Sequence, residues 1–467
     1  MELQGAINLS TLNDISSFRK KNKMRPTIIF GIVCLTLLQS CSPKHLSQAQ
    51  KTNGSIKSAS ENFSDLFYQY QLDHQMFSGL IVVDAQSDKV LFAQNADKLF
   101  TPASNTKLLT LLAAQYYLSD SIPALQYFER GDSLVIKGTG DPSFLTKNDV
   151  DSIAFHFLNQ TDKSIYIDNS EMSTGRFGSG WAWDDYAYYY QKENSAFPMA
   201  GQATRISCHP DSTTLAVSPA FMENYIKIDT TLKRFLTRGE YSNLITINPL
   251  YKPKRAREYE IPFYQDSSFR VFLFKQLVDK ELHYLSGTVD YPYKKLYHMN
   301  SDSLYKELML NSDNFVAEQL LFVIGSQLKM ELNTQKIIKR ILQEEPFASI
   351  PDRPRWVDGS GLSRYNLTSP RSMIWILDQL DNYLTNEQIQ QWFPSGEHLG
   401  TLPKGLEKLN IRAKTGTLSN NFCLSGYLYT DSGKRLRFSW MNNHFMASKT
   451  ELVADMEKLL LIIQEEF

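Results

Sequence analysis

Of 467 residues only four are cysteine: Cys34, Cys41, Cys208 and Cys423. None forms a CxxC pair, and none sits with histidines at zinc-site spacing. The eight histidines are scattered, and HExxH is absent. A metal-dependent hydrolase is therefore not expected, nor is any cofactor. Charge of one sign is missing too. The 49 Lys+Arg against 50 Asp+Glu leave a net charge of −1, without the basic excess of a nucleic-acid binder. Beyond Leu38 no apolar run approaches the length that spans a bilayer. Whether Cys208 and Cys423 pair in an oxidising compartment stays open in the sequence.

What is present begins with an address. Arg19, Lys20, Lys21, Lys23 and Arg25 precede the apolar run Pro26–Leu38, followed by Gln39-Ser40-Cys41. That order is the pattern of a secretory signal. Leu38-Gln39-Ser40-Cys41 resembles a bacterial lipobox, whose cysteine is lipidated and becomes the mature N-terminus. Plain cleavage and an uncleaved anchor are the alternatives, and Met24 is a second candidate start. Residues 42–60 are polar and Ser/Lys/Gln-rich, the composition of a flexible tether. The expectation is a periplasmic protein held to a membrane by an N-terminal lipid.

The length calls for more than one domain. Glu61–Leu72 has an apolar side made of Phe63, Leu66, Phe67 and Tyr70, as an amphipathic helix does. Two strands, Phe77–Val83 and Lys89–Ala93, come early. Three more, Asn410–Lys414, Cys423–Tyr429 and Leu436–Met441, come late, before a last helix from Thr450 to Gln464. The fold class expected is α+β: one antiparallel sheet built from both chain ends, flanked by helices, with a helical lobe. Residues 151–290 are rich in Tyr, Thr and Ser with short β-type runs, and read as a mostly β inserted domain. The division is thus 1–41 signal, 42–60 tether, 61–150 with 291–467 catalytic, and 151–290 inserted.

Three short motifs carry chemistry, in a fixed order. Ser104-Asn105-Thr106-Lys107 has the form SxxK. A serine opening a helix has a lysine three residues on at its own face. The amine can take the hydroxyl proton if burial or cations lower its pKa. Ser312-Asp313-Asn314 has the form SxN and opens the helical run Asp313–Leu328. Ser312 suits a proton relay between Lys107 and a leaving amine, and Asn314 suits a substrate amide. The plainer reading of Ser312-Asp313 is a helix cap. Lys414-Thr415-Gly416 follows: Lys414 favours a substrate carboxylate, and Gly416 lets substrate backbone lie close. The N–H groups of Ser104 and Thr417 are the expected oxyanion hole. An α/β-hydrolase elbow, GxSxG, is absent: Gly178-Ser179-Gly180 and Gly359-Ser360-Gly361 read as loops.

SxxK, SDN and KTG form the signature set of penicillin-binding proteins and serine β-lactamases. From residue 62 to 467 the chain resembles the low-molecular-mass class C penicillin-binding proteins, the DacB-like D-alanyl-D-alanine carboxypeptidases/endopeptidases. The resemblance rests on Thr101–Lys107, Gly138–Ser143, Gly180–Asp185 and Val357–Arg364 with Asn366, besides SxN and KTG. It implies the penicillin-binding/β-lactamase-like transpeptidase fold. It also implies a Ser104 acyl-enzyme, peptidoglycan stem peptides and their D-Ala–diaminopimelate cross-links as substrates, and β-lactams as inhibitors. The 208 positions between Ser104 and Ser312 (312 − 104) leave room for the family's insertion. Asp141 and Arg364 are expected to hold the zwitterionic end of diaminopimelate; the plainer reading has Asp141 cap a turn before Pro142. Two rivals stand beside this reading. One is a serine β-lactamase, although no Glu-x-x-Leu-Asn segment follows SDN. The other is a non-catalytic wall-binding protein, although Ser104, Lys107, Ser312 and Lys414 are intact. The stretch Trp181–Tyr190 (WAWDDYAYYY) invites sugar stacking; core and surface of the insertion is the plainer reading.

Overall fold

The computed structural model describes residues 5–8, 59–118, 121–146, 153–168, 172–210, 214–285, 291–299, 301–397 and 400–467. The apolar run of the signal, Cys41 and the tether up to residue 58 lie outside the described residues.

The first layer is a five-stranded antiparallel sheet made of both chain ends. Its strands are β1 (Phe77–Asp84), β2 (Val90–Gln94), β3 (Ile411–Leu418), β4 (Asn421–Tyr429) and β5 (Arg435–Asn443). The order across the sheet is β3-β4-β5-β1-β2. β5 pairs β1 with Met441 opposite Gly79, so the first and last parts of the body are stitched at the sheet centre. Successive side chains of a strand point to opposite faces. Leu80 and Val82 accordingly join one apolar core, and Ile81 and Val83 another.

The first core is closed by the terminal helices, α1 (Ala59–Asp73) and the C-terminal Lys449–Glu466, through Phe63, Phe67, Leu452 and Met456. The second is closed by α2 (Thr106–Tyr117), α3 (Asn314–Gln327) and α4 (Pro370–Leu380). Asp313 caps α3, accepting from Val316 N at 2.9 Å. The helices bury their apolar sides against the sheet and against one another, the main source of stability for helices of this length.

Between α2 and α3 the chain builds a separate lobe. Its largest sheet runs Leu282–Tyr284, Ser164–Asp168, Ser133–Gly138, Ser121–Arg130, Lys294–Met299. This sheet straddles both expected boundaries, 151 and 290: Ser133–Gly138 pairs with Ser164–Asp168 across the first, and Lys294–Met299, beyond the second, joins the same sheet by pairing with Ser121–Arg130. Ala124, Leu134 and Leu282 share one core. The hairpin Ser121–Gly138 therefore packs with the insertion. A hairpin's own alternation does not say which sheet it joins. A four-stranded sheet combines Thr214–Ser218, Ala203–Cys208 and Arg257–Pro262 with Gly5–Asn8, a segment read above as part of the signal. A three-stranded sheet and two helices, Ile153–Gln160 and Ser267–Val278, complete the lobe. Cys208 and Cys423 are both free and buried. Among the described residues, no helix is long and apolar enough to cross a membrane.

Candidate active site

Ser104 sits in a short 3-10 turn, Ala103–Asn105, that leads into α2. Ala103 has φ +49°, a left-handed conformation that costs a non-glycine residue of order 1 kcal/mol. Two glycines hold the turn by close approach. A Cβ on Gly416 would lie 2.3 Å from Pro102 O and 3.1 Å from Ser104 N. One on Gly361 would lie 1.9 Å from Ala103 O. Gly416 thus serves the seating of β3 against the turn that carries Ser104, a need distinct from the expected one, room for substrate backbone. Asn105 ties the same two elements, donating Nδ2 to Lys414 O at 2.8 Å and accepting from Ser425 at 2.7 Å.

Lys107 lies one helical step on, fully buried. Its Nζ donates to Ser104 Oγ at 3.0 Å, Asn314 Oδ1 at 2.7 Å and Ser360 O at 2.7 Å. Burial lowers its pKa from 10.5 to about 8, against the upward pull of Asp358, Asp313 and Glu318. The amine is thereby brought into the range of a working base. Lys414, also buried, donates to Ser312 Oγ at 2.8 Å and to Thr415 O at 3.0 Å. Burial and then the charge of Lys107 push its pKa far down.

The three motifs meet, with partners other than those expected. Ser312 is held by Lys414 and not by Lys107. Asn314 uses its oxygen on Lys107 and its nitrogen on Tyr190 O, at 2.9 Å. Lys414 is sealed beneath the cleft surface.

β3 is the free edge of the sheet. Ala413 N donates to Pro394 O, away from β4. N–H directions alternate along an antiparallel strand, and β3 keeps its register without a bulge. Thr415 and Thr417 therefore also aim their N–H groups at the open side, where Ser104 lies. The cleft there measures about 660 Å³; Ser104, Ser312, Asn314, Thr415, Thr417 and Arg364 line it, together with Asp185, Tyr189, Tyr190 and Lys449.

Asp141 is the correction. It is buried, accepts from Ser143 N at 3.0 Å and Ser143 Oγ at 2.9 Å, and is not among the cleft-lining residues. The preceding Gly140, at φ +88°, packs against α3 so tightly that a Cβ would meet Phe322 at 2.4 Å. Asp141 therefore caps a turn inside the protein. Asp185 is one of the acids, with Glu260, Glu307 and Asp313, that line the cleft together with Arg364.

Several functional groups were missed in the sequence. Glu318 is one turn along α3 from Asn314, buried, accepting from Gly359 N and Ser360 N. Burial and the neighbouring Asp358 raise its pKa to about 8. A lone acid inside Phe315–Ile324 was the available signal. Asp358 gathers the N–H groups of Gly361 (2.8 Å) and Ser363 (2.6 Å), Asn366 Nδ2 (2.7 Å) and Trp181 Nε1 (2.8 Å). That network aims Ser360 O at Lys107. Lys449 stands beside Thr417, Nζ to Oγ1 3.4 Å, and above the Phe422 ring at 4.8 Å. It has no ion-pair partner among the described residues.

The chain is 24% identical over 452 residues to the D-alanyl-D-alanine carboxypeptidase DacB of Haemophilus influenzae, covering 84% of this chain and 90% of that one. It is 24% identical over 434 residues to the D-alanyl-D-alanine carboxypeptidase of Actinomadura sp. R39, covering 78% and 77%. Its fold matches the crystal structure of penicillin-binding protein 4 (DacB) from H. influenzae with a TM-score of 0.68 at 20% identity, over 86% of this chain and 99% of that one. The model of the D-Ala-D-Ala carboxypeptidase 3 (S13) family matches residues 59–243 and 295–462, most of the body. With Ser104, Lys107 and the edge of β3 in this arrangement, the chain belongs to the D-Ala-D-Ala carboxypeptidase 3 (S13) family.

Proposed function

We propose that this protein is an exported serine DD-peptidase, a D-alanyl-D-alanine carboxypeptidase and endopeptidase of peptidoglycan that β-lactams acylate at Ser104. The observation that supports it most is a buried lysine of lowered pKa, 3.0 Å from a serine that faces an open strand edge. The substrate's C-terminal segment lies along β3, adding a strand. Ser104 Oγ attacks the D-Ala carbonyl while neutral Lys107 takes its proton. The oxyanion forms between the N–H groups of Ser104 and Thr417. Ser312, in contact with Lys414, hands its proton to the departing amine and takes up the one that Lys107 gained, so that both groups end as they began; the amine leaves as D-Ala or as the cross-linked partner peptide. Water then opens the ester and Ser104 recovers its proton. Lys449, the cation beside Thr417, attracts the terminal carboxylate, a role the buried Lys414 cannot fill by contact.

Arg364 with Asp185, in place of Asp141, suits the zwitterionic end of diaminopimelate, because opposite charges face one cleft. The Leu38–Cys41 lipobox implies that Cys41 carries a lipid and that the enzyme works in the cell envelope, tethered to a membrane. Labelled fatty acid incorporated by the wild type and not by Cys41→Ser would support this; equal incorporation would overturn it.

The main experiment treats the protein with a fluorescent penicillin and maps the adduct by mass spectrometry. A long-lived adduct on Ser104, absent from Ser104→Ala, is expected. Fast turnover of the drug would favour a β-lactamase. No adduct on folded protein, with binding to cell walls retained, would favour a non-catalytic wall-binding protein.

A further inference from the structure

Beside the catalytic cleft lies a second and larger groove that the mechanism above leaves unused. Its volume is about 990 Å³. One wall is the segment 183–189; the other is formed by the strands Leu236–Arg238 and Arg257–Pro262 of the inserted lobe. The groove and the catalytic cleft share Asp185, Tyr189 and Glu260. A polymer that occupies one therefore runs on into the other.

The loop turns large rings to solvent. Trp183 is 78% exposed, Tyr189 63% and Tyr188 48%. Rings left in water on a soluble protein mark contact surfaces. These rings are not on a loose loop. The buried Arg238 donates Nη2 to Tyr186 O at 2.8 Å, and Gln191 donates to Ala182 O at 2.8 Å. Asn314, which itself holds Lys107, donates to Tyr190 O at 2.9 Å. Tyr188 and Tyr190 stack nearly parallel, 5.5 Å between centroids. The segment is thus held at Ala182, Tyr186 and Tyr190, the last by Asn314 of the catalytic cleft, so little ordering is needed when a ligand settles on it. Arg234, Asp184 and Glu258 line the same groove. Flat aromatic faces with charged hydrogen-bonding groups around them are the complement of a sugar: its C–H face stacks, and its hydroxyl and acetamido groups bond to the polar groups.

We propose that this groove is a subsite for the glycan strand, the amino-sugar polymer that bears the stem peptide, so that the enzyme reads sugar and peptide of one substrate together. The inference rests on the reading of the cleft as a stem-peptide site. The two are separable by comparing substrates. A free peptide ending in D-Ala-D-Ala and the same peptide on a peptidoglycan tetrasaccharide are hydrolysed by the wild-type protein and by Trp183→Ala. Trp183 is not among the residues that line the catalytic cleft.

Loss of one stacking platform predicts a kcat/KM about tenfold lower on the glycan-borne substrate, carried by KM, with the free peptide unaffected. Trp183→Phe, which keeps a ring, should recover most of that loss. An equal rate for Trp183→Ala and wild type on the glycan-borne substrate would overturn the proposal. So would an equal loss on both substrates, which would indicate damage to the loop. Should the wild type hydrolyse neither substrate, the DD-peptidase reading fails instead. Calorimetry with an N-acetylglucosamine tetramer then decides the groove: binding by wild type and not by Trp183→Ala sustains it, and no binding refutes it.

Discussion

The acylation rate should follow the titration of Lys107. Its pKa is lowered from 10.5 to about 8 by burial, and the base is the neutral amine. A group at 8 is neutral in roughly 10% of molecules at pH 7, half at pH 8 and roughly 90% at pH 9. A lysine at its ordinary value would be neutral in roughly 0.03% at pH 7, about 300-fold less. The sign is fixed: the rate falls about tenfold for each pH unit below 8 and flattens above it. The assay is the second-order rate of penicillin attachment to Ser104, measured in a single turnover so that deacylation does not enter. Asp358→Asn gives a second arm. Among the carboxylates that pull this pKa upward, Asp358 has the largest effect. Removing its charge should move the acid limb to lower pH. A profile flat between about pH 6 and 9, or a limb that still climbs past pH 10, would refute the assignment of Lys107 as a burial-tuned base.

Three further outcomes are expected. Gly416→Ala places a Cβ 2.3 Å from Pro102 O, and the shifted nucleophile should lose about a hundredfold in acylation rate, read by penicillin labelling while circular dichroism stays native. Lys449→Gln should raise KM for a D-Ala-D-Ala peptide several-fold with kcat little changed, and the difference should vanish on a C-terminally amidated peptide; an equal effect on both would exclude carboxylate binding. Asn366→Ala removes the acceptor of Val357 N (2.7 Å) and the donor to Asp358 (2.7 Å), which should cost about 1–3 kcal/mol, visible as a lower Tm.

The residues of the three motifs were legible because each lies within one turn or one strand. Ser104 and Lys107 share a helix face whatever the tertiary structure does. Which lysine meets which partner was not legible. The Lys107–Asn314 and Lys414–Ser312 contacts depend on how α2, α3 and β3 dock, across separations of 207 and 102 residues. Asp141 was misplaced for a related reason. A short acidic side chain beside glycine and proline suits a ligand or a turn equally, and the tight packing of Gly140 on α3 selects the turn. The sheet from both chain ends was legible, since paired runs of alternating apolar residues stand at each end. The extent of the insertion was not. The hairpin Ser121–Gly138 has the same alternation as the catalytic strands, and its partners, Ser164–Asp168 and Lys294–Met299, are distant in sequence.

The stitching of β1 to β5 has a consequence for the timing of activity. Gly79 and Met441 pair across 362 residues (441 − 79), a separation that makes folding slow and late. A chain made from its N-terminus presents Ser104 early, but Lys414 and the edge strand β3 arrive hundreds of residues afterwards. The site is therefore incomplete until the final strands dock, and activity comes no earlier than the last part of the chain.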